Sequence, residues 1–102
     1  GYGTFTHGEA VALGMRAALH LSRRLHPDLD LERADGLVRR IPVPQGLRDL
    51  PTGALVDAMR TDKKVQAGAL RFVVLRRIGE AYVTAGVDEA DVEAAWAFAK
   101  DE

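Results

Sequence analysis

The chain contains no cysteine among its 102 residues. This absence excludes disulfide bonds, thiolate metal sites and cysteine nucleophiles together. It is also what a protein of a reducing compartment shows, so the composition predicts a cytoplasmic location. There is no run of about 18 apolar residues, and a membrane-spanning helix is therefore not predicted.

An excess of charge of one sign is also lacking. The 14 Lys and Arg residues nearly balance the 15 Asp and Glu residues, and the formal net charge is −1. Because the basic residues are scattered, neither nucleic acid nor a membrane surface is an expected partner. The chain begins with Gly1 rather than Met, and its first residues lack the basic-then-apolar layout of a signal peptide. We therefore expect a processed product, an excised domain or a fragment.

Apolar periodicity predicts a single, mainly α domain over residues 1–102, with about four main helices and one small β-hairpin. Apolar residues make up 47% of the chain and charged residues 28%, which is ordinary for a globular domain. Thr6 and Glu9 have the spacing of a capping box, so the first helix should start after Thr6 and run to about Leu25. Its residues 10–21 are apolar on nearly every face, interrupted by Arg16 and His20, which is typical of a helix in the centre of a core.

The remaining elements follow from shorter patterns. A second helix is predicted over about residues 30–40, an extended connection over 41–46, a third helix from 52 to about 61, and a last helix capped by Asp88. Between the last two, residues 70–75 and 80–84 predict a hairpin that must pack on the helices, since a lone hairpin is marginal in water. The residues predicted to face inward are Leu31, Ala34, Leu37, Val38 and Ile41 in the second helix, Leu55, Val56 and Met59 in the third, and Val92, Ala95, Trp96 and Ala99 in the last.

The histidines His7, His20 and His26 are candidate metal ligands. Catalytic zinc needs about three converging protein ligands. His7 and His20 are 13 residues apart on one predicted helix, or roughly 20 Å, and Glu9 points away from His7. The chain therefore supplies at most one good ligand, His7, whose neutral form is favoured by the positive end of the helix dipole. A capping or solvent-facing role for His7 stays open, and His20 and His26 are predicted to be structural.

Asp62, Lys63 and Lys64 form a second candidate site. Two adjacent lysines between a short helix and Gly68 could bind an anion such as a phosphate or a carboxylate. The alternative is a solvated charge pair at a helix C-terminus, where cations are favoured in any case. Composition alone favours this alternative.

Two sequence blocks together resemble one known family. Residues 7–15 read HGEAVALGM, which closely resembles the HGEAVAxGM signature of 3-dehydroquinate synthases, and the preceding GYG resembles the lead-in to that signature. Residues 62–65 (DKKV), Gly68, residues 70–75 and residues 78–81 resemble the second C-terminal block of the family, in order and in spacing. The resemblance covers the chain from Gly1 to the final helix.

The resemblance implies a fold and an activity. Family members bind NAD in an N-terminal α/β domain, and a divalent metal, usually zinc but also cobalt, between their two domains. They convert the seven-carbon phosphate DAHP to 3-dehydroquinate with loss of phosphate, a step of the shikimate pathway of aromatic amino acid biosynthesis. By this resemblance, the chain is the helical C-terminal metal- and substrate-binding domain. His7 is then a metal ligand, and Lys64, with Lys63 as second choice, contacts the anionic end of the substrate.

The resemblance also implies what the chain does not contain. The other two metal ligands of the family, a glutamate and a histidine, lie upstream of this stretch, as does the NAD-binding domain. We therefore expect the chain alone to be inactive and to bind neither NAD nor zinc tightly. Removal of the N-terminal domain should expose an apolar patch near Tyr2, Phe5 and Val11, and such a patch promotes dimerisation.

Two other interpretations stay open. Related sugar phosphate cyclases, such as 2-deoxy-scyllo-inosose or valiolone synthases, carry the same HGEAV block but tend to depart from Asp-Lys-Lys, which this chain keeps. A stand-alone, non-catalytic helical module that binds a partner is the alternative from a different class of protein. A reading frame that begins near Gly1 would favour the module, and one that extends a few hundred residues upstream would exclude it.

Overall fold

Helices and one hairpin make up the regular structure of residues 6–60 and 72–101, which are the residues that the computed structural model describes. The elements are α1 (His7–Leu25), α2 (Glu32–Val38), α3 (Gln45–Arg48), α4 (Thr52–Arg60), β1 (Phe72–Arg77), β2 (Glu80–Thr84) and α5 (Glu89–Lys100). The prediction of a mainly α domain with one small hairpin is confirmed.

Helix α1 begins at the predicted capping box. The Thr6 backbone N–H donates to Glu9 Oε1 at 2.8 Å, and the Glu9 N–H donates to Thr6 Oγ1 at 3.1 Å. At the other end, the His26 N–H closes the last turn by donating to the Ser22 carbonyl at 2.8 Å. Pro27 follows and disfavours a helical conformation of His26, so the helix ends at Leu25 as predicted.

The main core lies around α1, which packs most extensively against α5 and β1. The prediction that α1 is central is confirmed, and the inward face of α5 is as predicted at Val92, Ala95 and Ala99, with Trp96 partly buried beside them. Small side chains on both helices let the two backbones approach closely. The buried members of this core cluster are Ala12, Leu13, Ala17, Leu21, Val43, Leu47, Leu55, Val56, Phe72, Val74, Val92, Ala95 and Ala99.

The second helix is shorter than predicted, and only part of its stripe is buried. Leu31 and Val38 are buried with Leu19 in a separate cluster, but Leu37 is 52% exposed and Ile41 42% exposed. Helix α2 has seven residues, and its buried residue Val38 packs in one cluster with Leu19 of α1, which defines its line of contact. Leu37 lies about 100° around the helix from Val38 and falls outside that line.

The prediction of an extended connection over residues 41–46 is wrong at its end, because α3 begins at Gln45. Pro44 is the N-cap, with extended backbone angles of φ −60° and ψ 147°. Its missing N–H costs nothing at a helix start. The short helix turns Leu47 into the core, where it is almost fully buried.

The predicted hairpin is confirmed, with β1 and β2 antiparallel and Val74 opposite Tyr82. Strand β1 extends through Arg77, and Gly79 makes the turn at φ 88°, a left-handed conformation that favours glycine. The hairpin packs on α1 as expected. Phe72 and Val74 are buried there, and the Leu75 N–H donates to Ser22 Oγ at 2.8 Å.

Candidate functional site

The N-terminal end of α1 is the candidate metal-binding end of the domain. His7 is the first residue of the helix, so its position beside the unpaired N–H groups of the first turn is as predicted. The direction of its side chain lies outside the described part of the structure. Glu9 has a different role, since its carboxylate accepts from the Thr6 N–H and thereby holds the helix start at His7.

Among residues 6–60 and 72–101, no three His, Cys, Asp or Glu side chains come together in a way that could hold a metal ion. A zinc site with about three converging protein ligands is therefore not formed by the described residues alone.

His20 and His26 lie far along α1 from His7 and are engaged inside the domain. The His20 ring stacks on Phe98 with the ring centroids 4.4 Å apart and an angle of 22° between the planes. Burial, followed by the charges of Arg24, Arg23 and Arg39, lowers the pKa of His20, and Asp35 opposes this shift. His26 Nε2 lies 2.6 Å from the Tyr82 hydroxyl in a hydrogen bond that ties the end of α1 to β2.

The candidate anion-binding residues Lys63 and Lys64 fall outside the described residues, as do Tyr2 and Phe5 of the predicted apolar patch. Along the chain the two lysines lie between the end of α4 and the start of β1. Val11, the remaining member of the patch, is 44% exposed, and Met15, four residues further on the same face of α1, is 41% exposed. An apolar strip on the outer face of α1 is therefore open to solvent in this chain.

Sequence reasoning missed an arginine clamp, by which we mean Arg16, Arg39 and Arg48. Arg16 is 2% exposed. These three side chains, from three different segments, donate to carbonyl oxygens at the C-terminal end of α5. The contacts are Arg16 Nη1 to Ala99 at 3.3 Å, Arg39 Nη2 to Phe98 at 3.3 Å, Arg39 Nη1 to Asp101 at 2.7 Å and Arg48 Nε to Lys100 at 3.0 Å.

The clamp supplies donors to carbonyls of the last turn, where a helix lacks its own donors, although the Phe98 carbonyl also accepts from the Asp101 N–H at 3.2 Å. It also places positive charge at the negative end of the helix dipole. Arg16 also donates from Nη2 to the Ile41 carbonyl at 3.3 Å, so it joins α1, α5 and the segment after α2. The sequence signal was an arginine within the mostly apolar stretch of residues 10–21, and this does not reveal its partners.

No helix within the described ranges is both long and apolar enough to cross a bilayer.

Comparison with known proteins agrees with this architecture. A family model described as 3-dehydroquinate synthase C-terminal matches residues 1–65. The chain is 50% identical over 100 residues to the 3-dehydroquinate synthase of Salinibacter ruber, an alignment that covers 97% of this chain and 27% of the relative. It is 42% identical over 94 residues to the 3-dehydroquinate synthase of Acidithiobacillus ferrooxidans, covering 90% of this chain and 26% of the relative. With the 3-dehydroquinate synthase of Opitutus terrae the identity is 50% over 84 residues, covering 79% of this chain and 23% of the relative.

These matches show that the chain belongs to the 3-dehydroquinate synthase family. Within that family it corresponds to the C-terminal domain. The chain spans about a quarter of the length of the curated relatives it matches. The resemblance drawn from the two sequence blocks is thereby confirmed.

Proposed function

We propose that this domain forms the C-terminal part of a 3-dehydroquinate synthase, a phosphate-eliminating carbon–oxygen lyase that converts DAHP to 3-dehydroquinate in the shikimate pathway. The observation that carries the proposal is the 50% identity to a 3-dehydroquinate synthase over nearly the whole chain. The lack of cysteine fits work in a reducing cytoplasm. The rest of the protein, an N-terminal NAD-binding domain, is the partner that completes the site.

His7 is the residue that we assign to the metal. It begins α1, and the positive end of a helix dipole in general favours the neutral imidazole, which is the form that binds zinc or cobalt. With metal and NAD bound in the complete protein, the site gains a Lewis acid for the substrate oxygens and a hydride acceptor. The other metal ligands come from the upstream part of the protein.

Elements of this chain hold His7 in place for that role. The capping box sets the residue at which α1 begins, and the burial of Ala12, Leu13 and Ala17 against the core fixes the rotation of the helix. The exposed apolar strip at Val11 and Met15 lies within the first three turns of the same helix. We assign this strip to the contact with the N-terminal domain, since an apolar face beside an incomplete site is suited to burial.

Lys64 is the residue that we assign to the anionic end of the substrate, with Lys63 as the second choice. If the chain is extended there, two successive side chains face opposite sides, so only one of the two lysines can reach the site. A charge-assisted hydrogen bond to the substrate is worth about 1.5 to 3 kcal/mol.

The test compares Lys64→Ala with Lys63→Ala in the complete protein. Lys64→Ala should lower kcat/KM roughly ten- to hundred-fold, whereas Lys63→Ala should lower it much less and serves as the matched control. His7→Ala should abolish both activity and tight zinc binding. Equal and negligible effects of the two lysine substitutions would remove the substrate-binding assignment. Full activity of His7→Ala would remove the metal assignment.

A further inference from the structure

A groove of about 360 Å³ lies between the C-terminal half of α1, the start of α2 and the C-terminal end of α5. Its volume is in the range of small-molecule sites in proteins. It is also separate from the candidate metal end of the domain, because His20 and His7 are roughly 20 Å apart along α1. The lining residues are Leu19, His20, Arg23, Arg24, Pro27, Leu31, Asp35 and Phe98.

The groove has an apolar floor and an aromatic wall. Leu19 and Leu31 are buried beneath it, and Pro27 lines it as well. The wall is the stacked pair of His20 and Phe98, and Phe98 remains 42% exposed. These surfaces favour a ligand with a flat apolar body, because aromatic rings gain from offset or edge contacts as well as from burial.

The rim of the groove is positively charged. Arg24 Nε pairs with Asp91 at 2.6 Å. Arg39 does not line the groove, but its guanidinium carbon lies 4.9 Å from the Phe98 ring centroid and its Nε pairs with Asp35 at 3.2 Å. Arg23 forms no ion pair with any residue in the described part of the chain. Within the described residues, the groove therefore has one arginine, Arg23, that no carboxylate contacts directly.

The charges around His20 also favour an anion in this groove. Apart from burial, the charges of Arg24, Arg23 and Arg39 lower the pKa of His20, and Asp35 is the acidic group that opposes them. The field that disfavours a proton on this ring is a field that attracts an anion.

We propose that this groove binds a small aromatic carboxylate, with its ring against His20 and Phe98 and its carboxylate on Arg23 and Arg24. The planar guanidinium fork matches a carboxylate with two parallel hydrogen bonds, which favours this anion over a spherical one. Asp91 already forms an ion pair with Arg24, so this aspartate competes with the carboxylate of the ligand for the Arg24 guanidinium.

The test titrates the 102-residue chain with benzoate and follows the backbone amides and the His20 imidazole protons by NMR. Binding should have a Kd on the order of 1 mM, and it should raise the pKa of His20 because the bound anion offsets the nearby arginines. Arg23→Gln should weaken binding about ten-fold, as expected for the loss of one charge-assisted contact. Asp91→Asn should tighten it by freeing Arg24. The matched control, Arg33→Gln, changes an exposed arginine of α2 outside the groove and should leave the Kd unchanged.

Two comparison ligands distinguish a site for an aromatic carboxylate from a purely apolar site and from a general anion site. Benzyl alcohol has the ring without the charge and should bind at least about ten-fold more weakly. Inorganic phosphate has the charge without the ring and should also bind more weakly. Equal affinity for phosphate would show a general anion site and overturn the proposal, as would equal benzoate binding by Arg23→Gln and the unsubstituted chain. Each variant is first compared with the parent by amide chemical-shift dispersion, so that loss of fold is distinguished from loss of binding.

Discussion

Replacing Arg16 with methionine removes two hydrogen bonds from the arginine clamp and keeps most of the apolar volume of the side chain. The lost donors are Nη1 to the Ala99 carbonyl and Nη2 to the Ile41 carbonyl, each at 3.3 Å. Ala99 is fully buried, so its carbonyl cannot turn to water instead. Hydrogen bonds that involve a charged group contribute about 1.5 to 3 kcal/mol each, and the long distances here place both at the low end.

We therefore expect Arg16→Met to lower the free energy of unfolding by about 3 kcal/mol. A domain of this size has a total stability of about 5 to 15 kcal/mol, so this is a large part of it. The corresponding fall in Tm is at least about 12 °C. Urea unfolding followed by circular dichroism measures the difference, with equal slopes required for the comparison.

One control variant, Arg33→Met, measures the general effect of losing an arginine, and a second clamp variant, Arg48→Met, measures a less buried contact of the clamp. Arg33→Met changes an exposed residue and should alter stability by less than about 0.5 kcal/mol. Arg48→Met removes the partly buried contact to the Lys100 carbonyl and an exposed hydrogen bond to Gln45 Oε1, and it should cost about 1 kcal/mol. An Arg16→Met variant as stable as the parent would refute the reasoning, because it would mean that the desolvation of the buried guanidinium cancels its hydrogen bonds.

Three further predictions concern pH, association and metal. The pKa of His20 is lowered in the folded state, so as the pH falls below about 6.5 the unfolded chain gains a proton that the folded chain resists. The stability of the parent should therefore fall between about pH 7.5 and about pH 5.5, and less so for His20→Gln; equal pH slopes in urea unfolding would contradict this. The exposed strip at Val11 and Met15 should promote self-association, so sedimentation should show a dimer at high concentration that Met15→Lys weakens, and a strict monomer would argue against the strip as an interface. Zinc should bind the isolated chain weakly or not at all, because our assignment gives this chain only one of the ligands, His7; calorimetry that gives submicromolar affinity for one zinc per chain would overturn this.

Local patterns in the sequence were enough for most of the helices. Thr6 and Glu9 predicted the start of α1, Pro27 its end and Asp88 the start of α5, because caps and proline act over three or four residues. The hairpin was predicted for the same reason, from β-branched strands and Gly79. The prediction failed at α3 because the two prolines were taken to keep the segment extended through Gly46. Pro44 does keep extended angles, but a proline is compatible with a helix that begins at the next residue, and this helix turns Leu47 into the core.

Some features of the candidate site could likewise be predicted from local sequence. The signature around His7 and the Asp-Lys-Lys block were sufficient to indicate the family, since each is a contiguous stretch of sequence. The placement of His7 at a helix start also followed from the sequence. The expectation that this chain contributes only one metal ligand, His7, stays a prediction.

Contacts between distant segments were decided only by the tertiary structure. Arg16 and Ala99 are 83 residues apart, and nothing in the neighbourhood of either predicts that a guanidinium will meet that carbonyl. The sequence also does not predict the groove that brings Arg23 and His20 of α1 together with Phe98 of α5. This groove forms because α5 packs against α1. Local sequence determined where each helix begins and ends, because caps and turns depend on near neighbours. The relative packing of the helices determined which buried and charged groups meet, because burial is a property of the whole domain.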